Sequence, residues 1–317
     1  MTQKLGFIFP GQGAQKTGML ADLGDQFALV RETFQEASDV LGYDLWELVQ
    51  SGTDEQLAQT EITQPAILTS SVAVWRLWQD ANGIPAALAA GHSLGEYSAL
   101  VCSGAIAFAD AVDLVRKRGQ FMQDAVPAGV GAMSAIVGLD DETIVDICAA
   151  LSEDNQAMSV QAVNFNSPGQ VVIAGHTELV KKAGNALLDA GARRALPLPV
   201  SAPFHSSLMK PAAEKFAQVI DKIEISTPEV PVIQNATLAA TDKPDVIREN
   251  LIKQIYMPVP WVKTIQQFQA EGVEVLIEMG PGQVLAGLNK RIAKDLPVVS
   301  VNSPQSLEKA LEMTLNK

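Results

Sequence analysis

The sequence predicts an α/β protein: a hydrolase-like, mostly parallel sheet flanked by helices, with a small ferredoxin-like domain inserted into it. Three observations carry this. Short apolar runs alternate with longer stretches of helical period through most of the 317 residues, the pattern of parallel strands covered on both faces. One such run, 86–90, leads into Gly91-His92-Ser93-Leu94-Gly95 and then a helical stretch over 96–101; strand, sharp turn and helix follow one another. Between Pro127 and Ser201 the alternation gives way to the order β-α-β-β-α-β, the split βαβ unit. The expected division is a discontinuous large domain, 1–127 and 201–317, around an insert over 128–200.

Along the chain, 5–9 is the first strand. It runs into the polar turn Pro10-Gly11-Gln12-Gly13-Ala14-Gln15. A loop leaving a first strand is where α/β proteins place ligands, so Gln12 is either a ligand-facing amide or an ordinary turn residue. The lysine and hydroxyl residue of a phosphate loop are missing. Residues 26–50 read as helices, and 60–78 as a loop containing Thr63-Gln64-Pro65 that passes into a buried helix from Ile67. After the elbow comes a helix from Asp110, its expected N-cap, to about Ala125. The insert reads as strand 133–137, helix 142–151, strands 159–165 and 170–174 joined by Asn166-Ser167-Pro168-Gly169, helix 178–190 and strand 194–200. Then follow helix 209–222, strand 230–234, helices 246–255 and 261–270, and strand 273–278 with Gly280-Pro281-Gly282 after it. A helix from Val284, a strand over 298–301 and a helix over 307–315 complete the pattern.

Composition narrows the class. An apolar fraction of 47% and a charged fraction of 19% fit a globular protein in water. No charged n-region and apolar h-region opens the chain, and the apolar stretch 84–109 is interrupted by His92, Glu96 and the motif glycines, so neither secretion nor a membrane span is expected. Cys102 and Cys148 are the two cysteines, read as reduced and buried thiols of a cytoplasmic protein. Nothing has metal-ligand spacing. A net charge of −13 argues against nucleic acid. An acidic partner would need a local basic patch, for which Arg116-Lys117-Arg118, Lys181-Lys182, Arg193-Arg194 and Lys290-Arg291 are candidates.

The elbow gives Ser93 its chemistry. Small residues at Gly91 and Gly95 let a strained turn hold the hydroxyl out, and the backbone N–H of Leu94 faces the oxygen that would become negative after attack. A serine needs a base, and the histidines are His92, His176 and His205. His92 adjoins the nucleophile and is expected to be a structural donor. His176 reads as a turn histidine near a helix start. His205 lies in the loop where the chain re-enters the large domain, a common place for reacting groups, and is the expected base. No acidic residue between Ser93 and His205 occupies an obvious strand-end loop of the large domain. A dyad is therefore expected, with the second ring nitrogen held by a backbone carbonyl or an amide oxygen. At about 100° per residue, Arg118 falls into the apolar stripe of its helix with Ala111, Val115 and Met122, while Arg116 and Lys117 face solvent. A buried guanidinium needs an anion, either a structural Asp or Glu or a substrate carboxylate bound in a bidentate fork.

Five segments together resemble the malonyl-CoA:acyl carrier protein transacylase family: Phe9-Pro10-Gly11-Gln12-Gly13, Gly91-His92-Ser93-Leu94-Gly95-Glu96, Arg118-Gly119-Gln120-Phe121-Met122, Asn164-Phe165-Asn166-Ser167-Pro168-Gly169-Gln170 and Pro203-Phe204-His205-Ser206. The resemblance implies Ser93 as nucleophile, His205 as base, Arg118 on the malonyl carboxylate, and Gln12 with the Leu94 N–H as oxyanion hole. It implies that the backbone carbonyl of Gln254 orients the histidine, and that Asn166, Met122 and Phe204 line the substrate cleft. It implies malonyl-CoA and acyl carrier protein as partners in fatty acid biosynthesis, with no metal or other cofactor. A thioesterase that gives the acyl group to water, and a noncatalytic subunit with a decayed site, are the competing readings; Arg118 on a packed face argues against the first, and an intact Ser93, His205 and Arg118 against the second.

Overall fold

The computed structural model describes residues 3–155, 157–200 and 202–315. Among them nine strands run in chain order: β1 (Leu5–Phe9), β2 (Leu88–Gly91), β3 (Gly131–Val137), β4 (Val160–Ser167), β5 (Gln170–His176), β6 (Arg194–Pro197), β7 (Val232–Ile233), β8 (Val275–Met279) and β9 (Val298–Val301). They form two sheets. The larger has the order β7-β2-β1-β8-β9, and every neighbouring pair in it is parallel. Strands β1, β2 and β8 are buried at every residue. Helices on both faces exclude water from these strands, which is why they appear in the sequence as unbroken apolar runs.

The second sheet has the order β4-β5-β3-β6 with all pairs antiparallel, as the β-α-β-β-α-β pattern predicts. Its strands alternate in what they bury. Val171 and Ile173 pack with Ile144, Cys148, Leu179 and Leu187 of the two helices Asp141–Glu153 and Thr177–Asp189. Val172 and Ala174, on the opposite face, join the main core of the molecule. Period-two side-chain alternation thus turns one face of this sheet toward its own helices and the other toward the large sheet. A bridge between Asn164 and Val259 fixes the approach: Phe165 N–H donates to Val259 O (3.0 Å) and Val259 N–H to Val163 O (2.8 Å).

Several expected boundaries shift. The stretch expected as a loop at 60–66 is the start of one helix, Thr60–Asp80, with Pro65 inside it. Pro65 removes one backbone hydrogen bond near the helix start, where tertiary burial of almost the whole helix prevails. The next long helix is Phe108–Gln123, capped at Ala107 without a side-chain bond; Asp110 lies in its first turn instead of at its N-cap. There its carboxylate still faces the positive end of the helix dipole. The expected strand 194–200 ends at Pro197, and the strand at 230–234 shrinks to two residues. Ser201, expected to open the returning segment, lies outside the described residues. Both cysteines are free and buried. Among the described residues no helix is long and apolar enough to cross a membrane.

The parallel sheet also sets the place of the site. The loops after β1, β2, β7 and β8 leave from the same carboxyl edge, where an open α/β sheet leaves room for ligands. They carry Gln12, Ser93, Asn235 and Gly280 respectively.

Candidate active site

The turn after β2 is compressed. A Cβ on Gly91 would stand 1.8 Å from the carbonyl carbon of Gly95, and one on Gly95 would stand 2.0 Å from the Phe9 carbonyl oxygen. Only glycine fits either position, because the turn folds on itself against the end of β1. Ser93 between them has φ 51°, a left-handed conformation that costs a non-glycine residue of the order of 1–3 kcal/mol and persists only when its surroundings enforce it. They do. Its N–H donates to Asn235 Oδ1 (2.9 Å), and its carbonyl accepts from Gln254 Nε2 (2.9 Å) and Glu96 N (3.1 Å). Asn235 Nδ2 also donates to the Gly91 carbonyl at 2.8 Å.

The Ser93 hydroxyl lies 2.7 Å from His205 Nε2. His205 Nδ1–H donates to the Gln254 carbonyl oxygen at 2.9 Å, which leaves Nε2 free to accept the serine proton. His205 is buried and itself left-handed at φ 64°. Burial, and then the nearby Arg118 charge, push its pKa down to about 3, so the imidazole is neutral near pH 7. The other two histidines are occupied elsewhere. Nε2 of His92 pairs with Asn166 Oδ1 (2.8 Å), and His176 Nδ1 accepts the Ser159 N–H (2.9 Å) at the end of β5.

Arg118 is 1% exposed. Gly119 lets its helix approach Thr60–Asp80 closely, since a Cβ there would be 2.6 Å from the Thr60 carbonyl. The guanidinium thereby reaches Gln64 Oε1 (2.8 Å), Gln254 Oε1 (2.9 Å) and Ser93 Oγ (3.2 Å), and stacks over the Tyr97 ring. All three acceptors are neutral. None of the ion pairs among the described residues includes Arg118, and its Nε–H has no partner there. Its neighbours differ from the expected solvated charges: Arg116 and Lys117 are only partly exposed and both grip Asp113 at 2.6 Å. That shared carboxylate holds both side chains against the helix.

A cleft of about 180 Å³ opens onto these groups, lined by Gln12, Ser93, Leu94, Arg118, Met122, Asn166, Phe204 and His205 together with Gln64. Met133, Val172 and Leu198 of the second sheet's segment close its other side. A larger cavity, about 540 Å³ beside Trp75 and Trp78, contains none of the groups around Ser93. Every site residue expected from the sequence is therefore in the cleft wall except Gln254, which lies behind it and contacts Ser93, His205 and Arg118. The roles of Gln64, Asn235 and Glu96 were not foreseen. Gln64 sits beside a proline in a stretch that reads as a loop, Asn235 follows a strand of two residues, and Glu96 is embedded in the motif. Position at the carboxyl end of a parallel strand was the one signal for Asn235.

The fold and the site define a class: α/β proteins with a serine on a nucleophile elbow, a histidine against it and a buried arginine at its side. The chain belongs to the acyl transferase domain family, whose model matches residues 6–306. It is 55% identical over 313 residues to the malonyl CoA-acyl carrier protein transacylase of Escherichia coli strain K12, covering 99% of this chain and 100% of that relative. It superposes with a TM-score of 0.97 on the malonyl CoA-acyl carrier protein transacylase of Coxiella burnetii, at 48% identity over 99% of this chain and 98% of that one. A malonyl-transacylase in complex with its type II PKS acyl-carrier protein matches at TM-score 0.96 and 52% identity, over 98% and 100% of the two chains.

Proposed function

We infer that this chain moves the malonyl group of malonyl-CoA to the phosphopantetheine thiol of acyl carrier protein through a malonyl-serine intermediate, in fatty acid biosynthesis. The observation that carries the reading is Arg118, a buried cation 3.2 Å from the candidate nucleophile with only neutral partners. Such a guanidinium suits an acyl chain ending in a carboxylate. The names of the relatives above support the same substrate and acceptor.

In this mechanism Ser93 Oγ attacks the thioester carbonyl while His205 Nε2 takes its proton. The tetrahedral oxyanion is held by the Leu94 N–H at the helix start and by the Gln12 amide. The C–S bond breaks, and the departing CoA sulfur receives the proton from His205. The carrier thiol then gives its proton to His205 and attacks the malonyl ester, and Ser93 leaves with that proton. His205 is suited to both halves because the Gln254 carbonyl fixes its tautomer. Nothing in this sequence of steps calls for a metal or redox cofactor. The reading treats 1–127 with 201–317 as the catalytic domain and 128–200 as an insert that roofs the cleft, supported by the two separate sheets. Free thiols at Cys102 and Cys148 support a cytoplasmic setting.

Intact-mass measurement after mixing with malonyl-CoA and with acetyl-CoA tests the reading. A malonyl adduct that maps to Ser93 and is discharged by holo carrier protein is the expected result. Discharge to water at the same rate with and without carrier protein makes the chain a hydrolase instead.

A further inference from the structure

The sequence leaves two candidates for the anion that a buried Arg118 needs, and the structure offers a third arrangement. Glu96, second residue of the helix Gly95–Cys102, is fully buried. Its Oε2 accepts from Asn235 N (2.8 Å) and Gln254 Nε2 (2.9 Å), and its Oε1 from Gln234 Nε2 (3.4 Å). No cation lies within ion-pair distance of it among the described residues. The Gln254 amide stands between the two buried groups, with Nε2 on the Glu96 carboxyl and Oε1 on the Arg118 guanidinium. Burial raises the Glu96 pKa to about 7, and the three donors aimed at it and the nearby Arg118 charge oppose that shift and favour the carboxylate.

That placement decides the orientation of the amide. A guanidinium only donates and an ionised carboxylate only accepts, so one way round satisfies both ends. It also decides what Arg118 has left. In a direct bidentate pair, Glu96 would occupy the fork that a substrate carboxylate needs, and the substrate would have to displace it. With one amide interposed, Arg118 has an anion nearby, while the groups a substrate carboxylate would have to displace from its terminal nitrogens, Gln64 and Ser93 Oγ, are neutral. The same carboxylate, through the Asn235 backbone, holds the loop whose side chain grips the Ser93 N–H.

We propose that Glu96 is the relayed counter-charge of Arg118 and a positioning residue for acyl selection: through the Gln254 side chain it keeps the guanidinium aimed into the cleft and open to the carboxylate of the acyl group. This rests on the malonyl reading above. His205 is held by the Gln254 backbone carbonyl and not by its side chain, so the relay touches the Ser93 backbone but not the histidine. Glu96→Gln puts a donor where three donors converge and frees the Gln254 amide to turn.

The test is acylation kinetics with malonyl-CoA and acetyl-CoA on wild type, Glu96→Gln, Arg118→Ala and the double variant, with the rate of Ser93 labelling by an uncharged fluorophosphonate alongside. Glu96→Gln should lower malonyl kcat/KM by about 10- to 100-fold, the cost of disturbing hydrogen bonds to a charged group, and by clearly more than it lowers acetyl transfer or labelling, which report any shift of the Ser93 turn. In the Arg118→Ala background the same substitution should cost nothing further, because coupled residues are non-additive. Equal losses toward both acyl groups, or a full additional loss without Arg118, overturn the proposal. Should Glu96→Gln not fold, Gln254→Met cuts the relay from its other end, and an unchanged malonyl preference in that variant overturns it as well. A wild type that forms no malonyl-serine defeats the malonyl reading itself, and the proposal with it.

Discussion

Two strand–turn–helix units leave the same edge of the parallel sheet, and each carries a buried glutamate. At the elbow after β2, Glu96 binds the amides that hold Ser93 and Arg118. In the second unit Glu278, within β8, accepts from the N–H groups of Leu285 (2.9 Å) and Ala286 (3.1 Å) at the start of the helix Val284–Ile292, and from Ser300 Oγ (2.6 Å). The second unit meets its backbone demands with glycines, Gly280 at φ 142° and Gly282 at φ 71°. The first places a serine in the left-handed region and holds it there with side chains from residues 235 and 254. The turn pattern by itself therefore makes a connection. It becomes a site where distant polar groups converge on it and their hydrogen-bonding capacity is not all used internally.

The sharpest break in this comparison is Ser93→Ala. It should abolish the acyl-enzyme and leave the melting temperature close to wild type, since alanine fits the turn; an adduct on another residue would refute the assignment. Arg118→Ala comes next. Cutting one partner from a desolvated pair costs about 3–5 kcal/mol, so malonyl transfer should fall by roughly two to four orders of magnitude while acetyl transfer is spared or rises. Paired kinetics with the two thioesters check it, and Lys at 118 should rescue only in part because the fork is lost.

His205 sharpens the comparison through pH. Its pKa is lowered, so the neutral base persists below the usual range for histidine and is lost only as pH falls toward about 3. The acidic limb of acylation kcat/KM should therefore lie below the free-imidazole value of about 6.5, and should move upward in Arg118→Ala, where one cause of the depression is gone. A wild-type limb at about 6.5 would contradict the placement of the histidine in a dry, cationic pocket. His205→Ala should slow acylation by about 10²–10⁴-fold.

The second unit should respond only in stability. Glu278→Ala strands two helix N–H groups and a hydroxyl, a loss of about 1–3 kcal/mol for each buried group left unpaired. Urea unfolding should report it, with acyl transfer below the transition unchanged; a parallel loss of transfer would mean that the two turns are not independent. The smallest effect is expected at the exposed Lys181 and Lys182. Charge reversal there should weaken transfer to an acidic carrier protein in a salt-dependent way and spare acylation by malonyl-CoA.

Much of this was legible in the sequence because it depends on local chemistry. Apolar runs fix buried parallel strands, two-residue alternation fixes the second sheet, and glycines flanking a serine fix the elbow, since each reflects a steric or solvation demand met within a few residues. Arg118 could be placed on a packed face from helical period alone. Its partners could not, because Gln64 and Gln254 reach it from separate elements, and Glu96 stands behind Gln254 on a third. The helix through Pro65 escaped for the same reason: local propensity argues for a loop there, and packing against Phe108–Gln123 decides otherwise. Sequence thus determined which groups exist and which way each element faces them. Only the tertiary structure decided which of those groups meet, because hydrogen bonds across more than a hundred residues depend on the register of strands and the closeness of helices, and no window of sequence contains either.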